Sequence, residues 1–232
     1  MHVHHHLVTR AWDFWLARLA VAVCIGLQLM LQNNFSFGPY WLAPAIEGVL
    51  LVILAGATFL AIQKSHAHNT HKLDETAKFR RWVKYLAVLL TIIITISNFI
   101  ALLALVRALL AGKAGGGLEL LFAALDIWVT NVLAFALWYW NTDRGGPSTR
   151  GLHNHEQRDF QFLQMTTHSK LDSDWMPGFV DYLFLSFTNA TAFSPTDTLP
   201  ITHRAKLLMM PQAAASLLVV ALVAARAVNI LS

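Results

Sequence analysis

Residues 181–206 read DYLFLSFTNATAFSPTDTLPITHRAK, and this stretch decides between two membrane folds for the chain. A short apolar run is followed by a turn rich in Thr and Ser, then by Asp197, a proline, Arg204 and Lys206. The apolar run covers residues 179–193, whereas a membrane helix needs roughly 20 apolar residues. It therefore predicts a re-entrant helix and loop, and the alternative is an amphipathic helix at the membrane surface with an ordinary turn.

The composition of the whole chain agrees with a membrane location. Of its 232 residues, 56% are hydrophobic and 13% are charged, whereas a soluble domain has about 25% charged residues. The net charge of +4 lies mostly in the connections, which in a membrane protein reports orientation rather than nucleic-acid binding. The single cysteine, Cys24, lies in an apolar run, so no intrachain disulfide and no Cys-based metal site is expected.

Neither a metal nor another cofactor is predicted from the histidines. A His-rich tail opens the chain and is interpreted as solvated rather than metal-binding; its members are His2, His4, His5 and His6. No nucleophile–base pair and no His-Glu-x-x-His motif is evident, so the chain is not expected to be an enzyme.

Five apolar segments are long enough to cross a bilayer. They cover residues 12–31, 40–63, 82–110, 118–140 and 205–231. The predicted fold class is an all-α integral membrane protein with five transmembrane helices and a re-entrant helix and loop between the fourth and fifth. Residues 1–113 are expected to form a three-helix N-terminal membrane region. The rest, 114–232, forms a pore-like module with outer helix 118–140, connection 141–177, re-entrant segment 178–200 and inner helix 205–231.

The charges of the connections predict the orientation of the spans. The connection after the second span is basic, with Lys64, Lys72, Lys78, Arg80 and Arg81. The positive-inside rule places it in the cytoplasm, together with the N-terminus and the connection 141–177. The re-entrant segment then enters from the cytoplasm. Six full spans are the alternative, which leaves Arg204 and Lys206 outside.

The stretch resembles the pore loop of tetrameric, potassium-channel-like cation channels. There the pore helix ends in Thr-Val-Gly-Tyr-Gly-Asp, followed by Pro-x-Thr and a basic residue before the inner helix. The matching positions here are Ser186, Phe187, Thr191, Asp197, Pro200, Thr202 and Lys206. Such a loop enters potassium channels from outside, so the predicted orientation instead resembles the inverted arrangement of ionotropic glutamate receptors.

The centre of the filter differs from that family. Ser194, Pro195 and Thr196 stand where it has Gly, Tyr and Gly, and the backbone that glycine permits is rare for Ser and Thr. Potassium selectivity is therefore not implied. The resemblance implies an altered filter lined by hydroxyls or by a ring of Asp197 carboxylates, made from Thr188, Thr191, Ala192, Phe193, Ser194, Pro195, Thr196 and Asp197.

The C-terminal half also resembles an uncharacterised family of predicted bacterial integral membrane proteins. The motifs that carry this likeness are ALWYW, DRGGP, DFxFxQM, FVDYLFLSFTNATAFSPTDTLP and ARAVNIL. The likeness implies a multi-pass protein of the bacterial plasma membrane, and it carries no established activity.

Charged and polar residues inside the spans are further candidates, because such residues in membranes usually have a partner or a task. Glu47, Asp126 and Arg226 lie within the predicted second, fourth and last spans. The expected ion pair joins Asp126 to Arg226. Gln212 and Ser216 share one face of the last span and are predicted to line its inner side, with Pro211 as a possible hinge.

These features predict an oligomeric pore-loop ion channel for monovalent cations with altered selectivity. Its expected partners are the lipid bilayer, inorganic cations and further copies of the chain, four in all. The alternatives are a non-conducting structural or partner-binding membrane protein, in which the turn is a packed corner, and a small transporter.

Overall fold

The structure is a computed structural model that describes residues 3–30, 41–65, 73–111, 117–147, 158–166, 175–191 and 197–231. Within these ranges it contains six α-helices, which are α1 (Val3–Met30), α2 (Leu42–Ser65), α3 (Leu73–Leu110), α4 (Gly117–Thr142), α5 (Phe179–Thr191) and α6 (His203–Leu231). All of them except α5 are long and apolar enough to cross a membrane. The chain is thus an almost entirely helical, multi-pass membrane protein, as the sequence predicted.

Helices α1 and α3 begin well before the predicted spans. The apolar segments were expected from residues 12 and 82, whereas the helices begin at Val3 and Leu73. Helical backbone satisfies its own hydrogen bonds on either side of a bilayer boundary, so hydropathy alone does not mark where a helix ends.

Helix α5 is a half-length element of 13 residues, about 20 Å long at 1.5 Å per residue. It lies against α4. At its start the Phe179 ring packs edge-on against Trp140 at 5.5 Å between centroids, and further along Phe187 packs against Trp128 at 5.9 Å. Because Trp128 lies near the middle of α4, α5 ends about half-way along its neighbour.

Two short strands were not predicted from the sequence. Strand β1 (Phe160–Phe162) lies in the connection before α5, and β2 (Thr198–Pro200) lies between α5 and α6; they pair antiparallel. Next to this pair, Thr202 Oγ1 donates to Asp159 Oδ1 at 2.5 Å, and the Ile201 amide donates to the Asp159 carbonyl at 3.0 Å. The chain that follows α5 is therefore held against the chain that precedes it.

The main hydrophobic core is shared by the N-terminal and C-terminal parts of the chain. Buried residues of α1 and α3, such as Cys24 and Ile94, belong to the same cluster as Tyr139 of α4, Tyr182 of α5 and Met209 of α6. The division into regions 1–113 and 114–232 stays a prediction, and these two parts pack on one another directly.

Candidate functional site

Helix α5 turns its polar face toward the interior of the bundle. Tyr182, Ser186 and Asn189 recur at the helical spacing and are almost completely buried. Its opposite face is apolar and exposed, with Phe184 and Phe187. This is the reverse of a soluble amphipathic helix and suits an element whose outer side meets lipid or another apolar surface.

Gln212 of α6 is the centre of the hydrogen bonds beneath α5. Its side chain is fully buried. Its Nε2 donates to the Ser186 carbonyl at 2.8 Å and to Ser186 Oγ at 2.6 Å, and its Oε1 accepts from Asn189 Nδ2 at 2.8 Å and from the Tyr139 hydroxyl. Ser186 Oγ in turn donates to the Val132 carbonyl at 2.6 Å. One amide thereby connects α4, α5 and α6.

Asn131 of α4 extends these contacts along α6. Its Nδ2 donates to Ser216 Oγ at 2.9 Å and to the Gln212 carbonyl at 3.2 Å. On the other side, Asn189 Nδ2 donates to the Met209 carbonyl at 3.1 Å. Asn131 therefore makes interhelical hydrogen bonds, and the side chains of Asn131 and Asn189 support the α6 backbone on both sides of Pro211, which lies inside this helix.

Gln212 and Ser216 share one face of α6, as predicted, and both are fully buried within a single chain. A lining residue of an isolated subunit is expected to be exposed, because the path forms only when the copies assemble. Their burial favours a bracing role, and lining by these two residues stays a prediction for an assembly.

Asp143, which directly follows α4, contacts both the first turn of α5 and the residue before β1. Its Oδ2 accepts from the Tyr182 hydroxyl at 2.5 Å, and its Oδ1 accepts from the Asp159 amide at 2.7 Å. The Arg144 Nε lies 3.8 Å from the same carboxylate. Gly146 closes the turn with a φ of +93°, and a Cβ there would lie 2.6 Å from the Asn141 carbonyl oxygen. The close approach to Asn141 explains why a glycine stands at this position of the turn after α4.

The first turn of α5 also contacts α1. The Phe179 amide donates to Asp13 Oδ1 at 3.0 Å, and the Gly178 amide donates to Asp181 Oδ2 at 2.7 Å. Burial raises the pKa of the Asp181 carboxyl above its usual value, and the nearby Asp13 and Asp197 carboxylates raise it further, against the lowering effect of the Gly178 amide. Acidic groups therefore surround the point where α5 begins.

Of the predicted filter residues, the structure describes only Thr188 and Thr191 before the loop and Asp197 after it. At the end of α5, Thr188 Oγ1 donates to the Phe184 carbonyl at 3.0 Å and Thr191 Oγ1 to the Phe187 carbonyl at 2.9 Å. On the return, Asp197 accepts from Thr198 Oγ1 at 3.1 Å. The remaining members lie outside the described residues; they are Ala192, Phe193, Ser194, Pro195 and Thr196.

The intramembrane charges are not joined as predicted. Within the described part of the chain no ion pair connects Asp126 with Arg226, and Arg226 Nε is buried without a hydrogen-bond partner. Glu47 is fully buried, and its Oε1 accepts from Gln28 Nε2 at 3.2 Å. The expected pair is wrong, and Glu47 contacts Gln28 of α1 instead.

Several members of this site were not singled out from the sequence, namely Tyr139, Asp143, Tyr182 and Asn189. The spacing of Tyr182, Ser186 and Asn189 over two turns was a usable signal, because polar groups on one stripe of a short apolar helix need internal partners. Nothing in the sequence marked Tyr139, which sits among aromatic residues. No protein-family model, no curated protein and no solved structure matches the chain.

Proposed function

We propose that this chain is a subunit of an oligomeric pore-loop channel for monovalent cations, with an altered filter, in the bacterial plasma membrane. In this proposal α4 is the outer helix, α5 the re-entrant half helix and α6 the inner helix. Four copies around an axis supply the protein surroundings that non-helical backbone needs at membrane depth.

The observation that carries the proposal is the attachment of both ends of the α5 segment at one face of the bundle. Tyr182 at its start bonds Asp143 at the end of α4. On its return, β2 pairs with β1, and Thr202 bonds Asp159 beside the same carboxylate. A helix of 13 residues is too short to cross a bilayer that needs roughly 20. These contacts support a segment that enters and leaves on the same side.

Electrostatics favour a cation over an anion at the tip of this segment. The C-terminal end of a helix carries a partial negative charge of roughly half an electron, and α5 ends at Thr191 beside the middle of α4. The hydrogen bonds of Gln212 hold that end in place. On the return path, Asp197 supplies a carboxylate at the face where the segment leaves.

A non-conducting structural membrane protein is the second candidate, and one observation favours it. The side chains of Gln212 and Ser216 are hydrogen-bonded to residues of the same chain, so neither depends on a second copy for a partner. In that case the contacts beneath α5 simply fix a packed corner, and the apolar outer face with Phe184 and Phe187 meets lipid.

Ion flux through purified protein in liposomes tests the proposal. We compare wild type with Asp197→Asn and Thr191→Ala, and use Glu119→Gln and Thr166→Ala as controls that remove an exposed acid and an exposed hydroxyl elsewhere. We expect flux of K⁺ or Na⁺ whose rate or selectivity changes in the first two variants and not in the controls. Folded, reconstituted protein with no flux for either cation favours the structural candidate.

A further inference from the structure

A partly open groove lies between the first halves of α1 and α3, the second half of α2 and the end of α4. Its apolar lining includes Val21, Leu51, Leu54 and Leu90. Its polar lining comprises Arg18, Lys84, Thr58, Thr91 and Asn141. The groove is therefore amphipathic, and among the described residues α5, β1 and β2 contribute nothing to its lining.

Two cations at this groove have no acidic partner in the part of the chain that the structure describes. Arg18 bonds the Thr58 hydroxyl and stacks over Trp15 with its guanidinium carbon 5.3 Å from the ring centroid, and no carboxylate pairs with it. Lys84 lines the groove from α3. Its side chain is half-buried and makes no ion pair among the described residues. Partly buried cations in membrane proteins are normally paired, so the groove lacks an anion.

The aromatic residues near the groove set its depth in the membrane. Trp12 and Trp15 of α1 and Trp82 and Tyr85 of α3 are each more than 60% exposed. Exposed Trp and Tyr rings are typical of the headgroup level of a bilayer. Arg18 and Lys84 therefore lie at the level of lipid phosphates, and the apolar walls lie toward the acyl chains.

We propose that this groove binds an anionic phospholipid, with its phosphate between Arg18 and Lys84 and an acyl chain along Val21, Leu51 and Leu90. Basic residues near the membrane surface attract anionic lipid headgroups, and the apolar walls select a lipid over a free anion. A bound lipid also joins α1, α2 and α3 at one level. The site is separate from α5 and is expected whether or not the chain conducts ions.

Native mass spectrometry of the full-length protein in detergent, titrated with phosphatidylglycerol, tests the site. We expect one tightly bound phosphatidylglycerol, a binding constant at least about tenfold weaker for phosphatidylcholine, and no displacement by inorganic phosphate at the same concentration. Equal binding of both lipids, or displacement of phosphatidylglycerol by phosphate, overturns the proposal.

Variants connect the binding to the two cations. Lys84→Gln removes a side chain without an ion pair among the described residues, so it is expected to fold and to weaken phosphatidylglycerol binding several-fold. Arg18→Gln is expected to do the same, whereas the charge-preserving Arg18→Lys retains most of the binding. Lys206→Gln, which removes an exposed cation of α6, is the matched control. Unchanged binding in Lys84→Gln, or an equal loss in Lys206→Gln, contradicts the site.

Discussion

At the scale of single residues, Gln212 concentrates the polar contacts of the bundle. Its fully buried amide bonds Ser186, Asn189 and Tyr139 at once. Gln212→Leu keeps a similar volume and leaves these groups without their partner. An unsatisfied buried polar group costs about 1–3 kcal/mol, so we expect this variant to lower the free energy of unfolding by at least that amount.

Thermal unfolding in detergent measures the effect, with Met210→Leu as the control. Met210 lies on the exposed face of the same helix, and its replacement is expected to change the midpoint temperature little. Equal midpoints for Gln212→Leu and Met210→Leu would show that the interior bonds around Gln212 contribute nothing to stability.

Asp181 makes the stability of the protein depend on pH. Burial, together with the Asp13 and Asp197 carboxylates, raises its folded pKa above the unfolded value, which is near 3.9. The charged form is therefore less favourable in the folded state. This penalty is complete above the raised pKa, decreases as pH falls through it, and is absent below the unfolded pKa.

Asp181→Asn removes that penalty while its side-chain oxygen can still accept from the Gly178 amide. We expect a higher unfolding temperature than wild type at neutral pH and a difference that shrinks as the pH is lowered toward the unfolded pKa of about 3.9, measured by thermal scans in detergent. Glu119→Gln, which removes an exposed acid at the start of α4, serves as the comparison. A variant that is less stable than wild type at neutral pH would contradict the argument.

At the scale of elements, the Asp143–Tyr182 contact attaches α5 to α4. A hydrogen bond to a charged group contributes about 1.5–3 kcal/mol, and the Tyr182 hydroxyl lies 2.5 Å from the Asp143 carboxylate. We expect Tyr182→Phe and Asp143→Ala each to destabilise the protein. Their double variant should lose clearly less than the two single losses added together, because both remove the same bond.

Unfolding free energies of the four proteins give the coupling, which we expect to exceed 0.5 kcal/mol. Tyr85→Phe removes an exposed hydroxyl and is the control for loss of a tyrosine oxygen. Strict additivity of the two changes would mean that the contact does not hold α5.

The sequence predicted the elements that depend on local composition. The five long helices follow from apolar length, and α5 begins at Phe179 as predicted and ends two residues before residue 193. The pairing of β1 with β2 did not follow, because three-residue strands separated by 35 positions carry no local signal. The Asp126–Arg226 pair failed for a related reason, since depth in the bilayer does not determine which faces of two helices meet.

At the scale of the whole molecule, the contacts between α5, β2 and the preceding connection bear on the proposed topology. Phe162 is paired with Thr198, and Thr202 bonds Asp159, so the β1 part of the connection that precedes α5 lies beside the residues just before α6. The start of α5 also contacts the first half of α1 through the bond from Phe179 to Asp13. These contacts favour the proposed five crossings, because six crossings would carry the start of α6 to the opposite side.

Single cysteines introduced at exposed positions distinguish the two topologies. The native Cys24 is fully buried and can stay in place. We expect Lys78→Cys, Leu163→Cys and Lys206→Cys to react with a membrane-impermeant maleimide from the cytoplasmic side, as judged by comparing inverted vesicles with spheroplasts. Ala111→Cys, beyond the end of α3, should react only from the other side. If position 206 reacts from the same side of the membrane as position 111, and from the side opposite to position 163, the chain has six crossings. That result would also rule out the re-entrant arrangement of α5 on which the channel proposal rests.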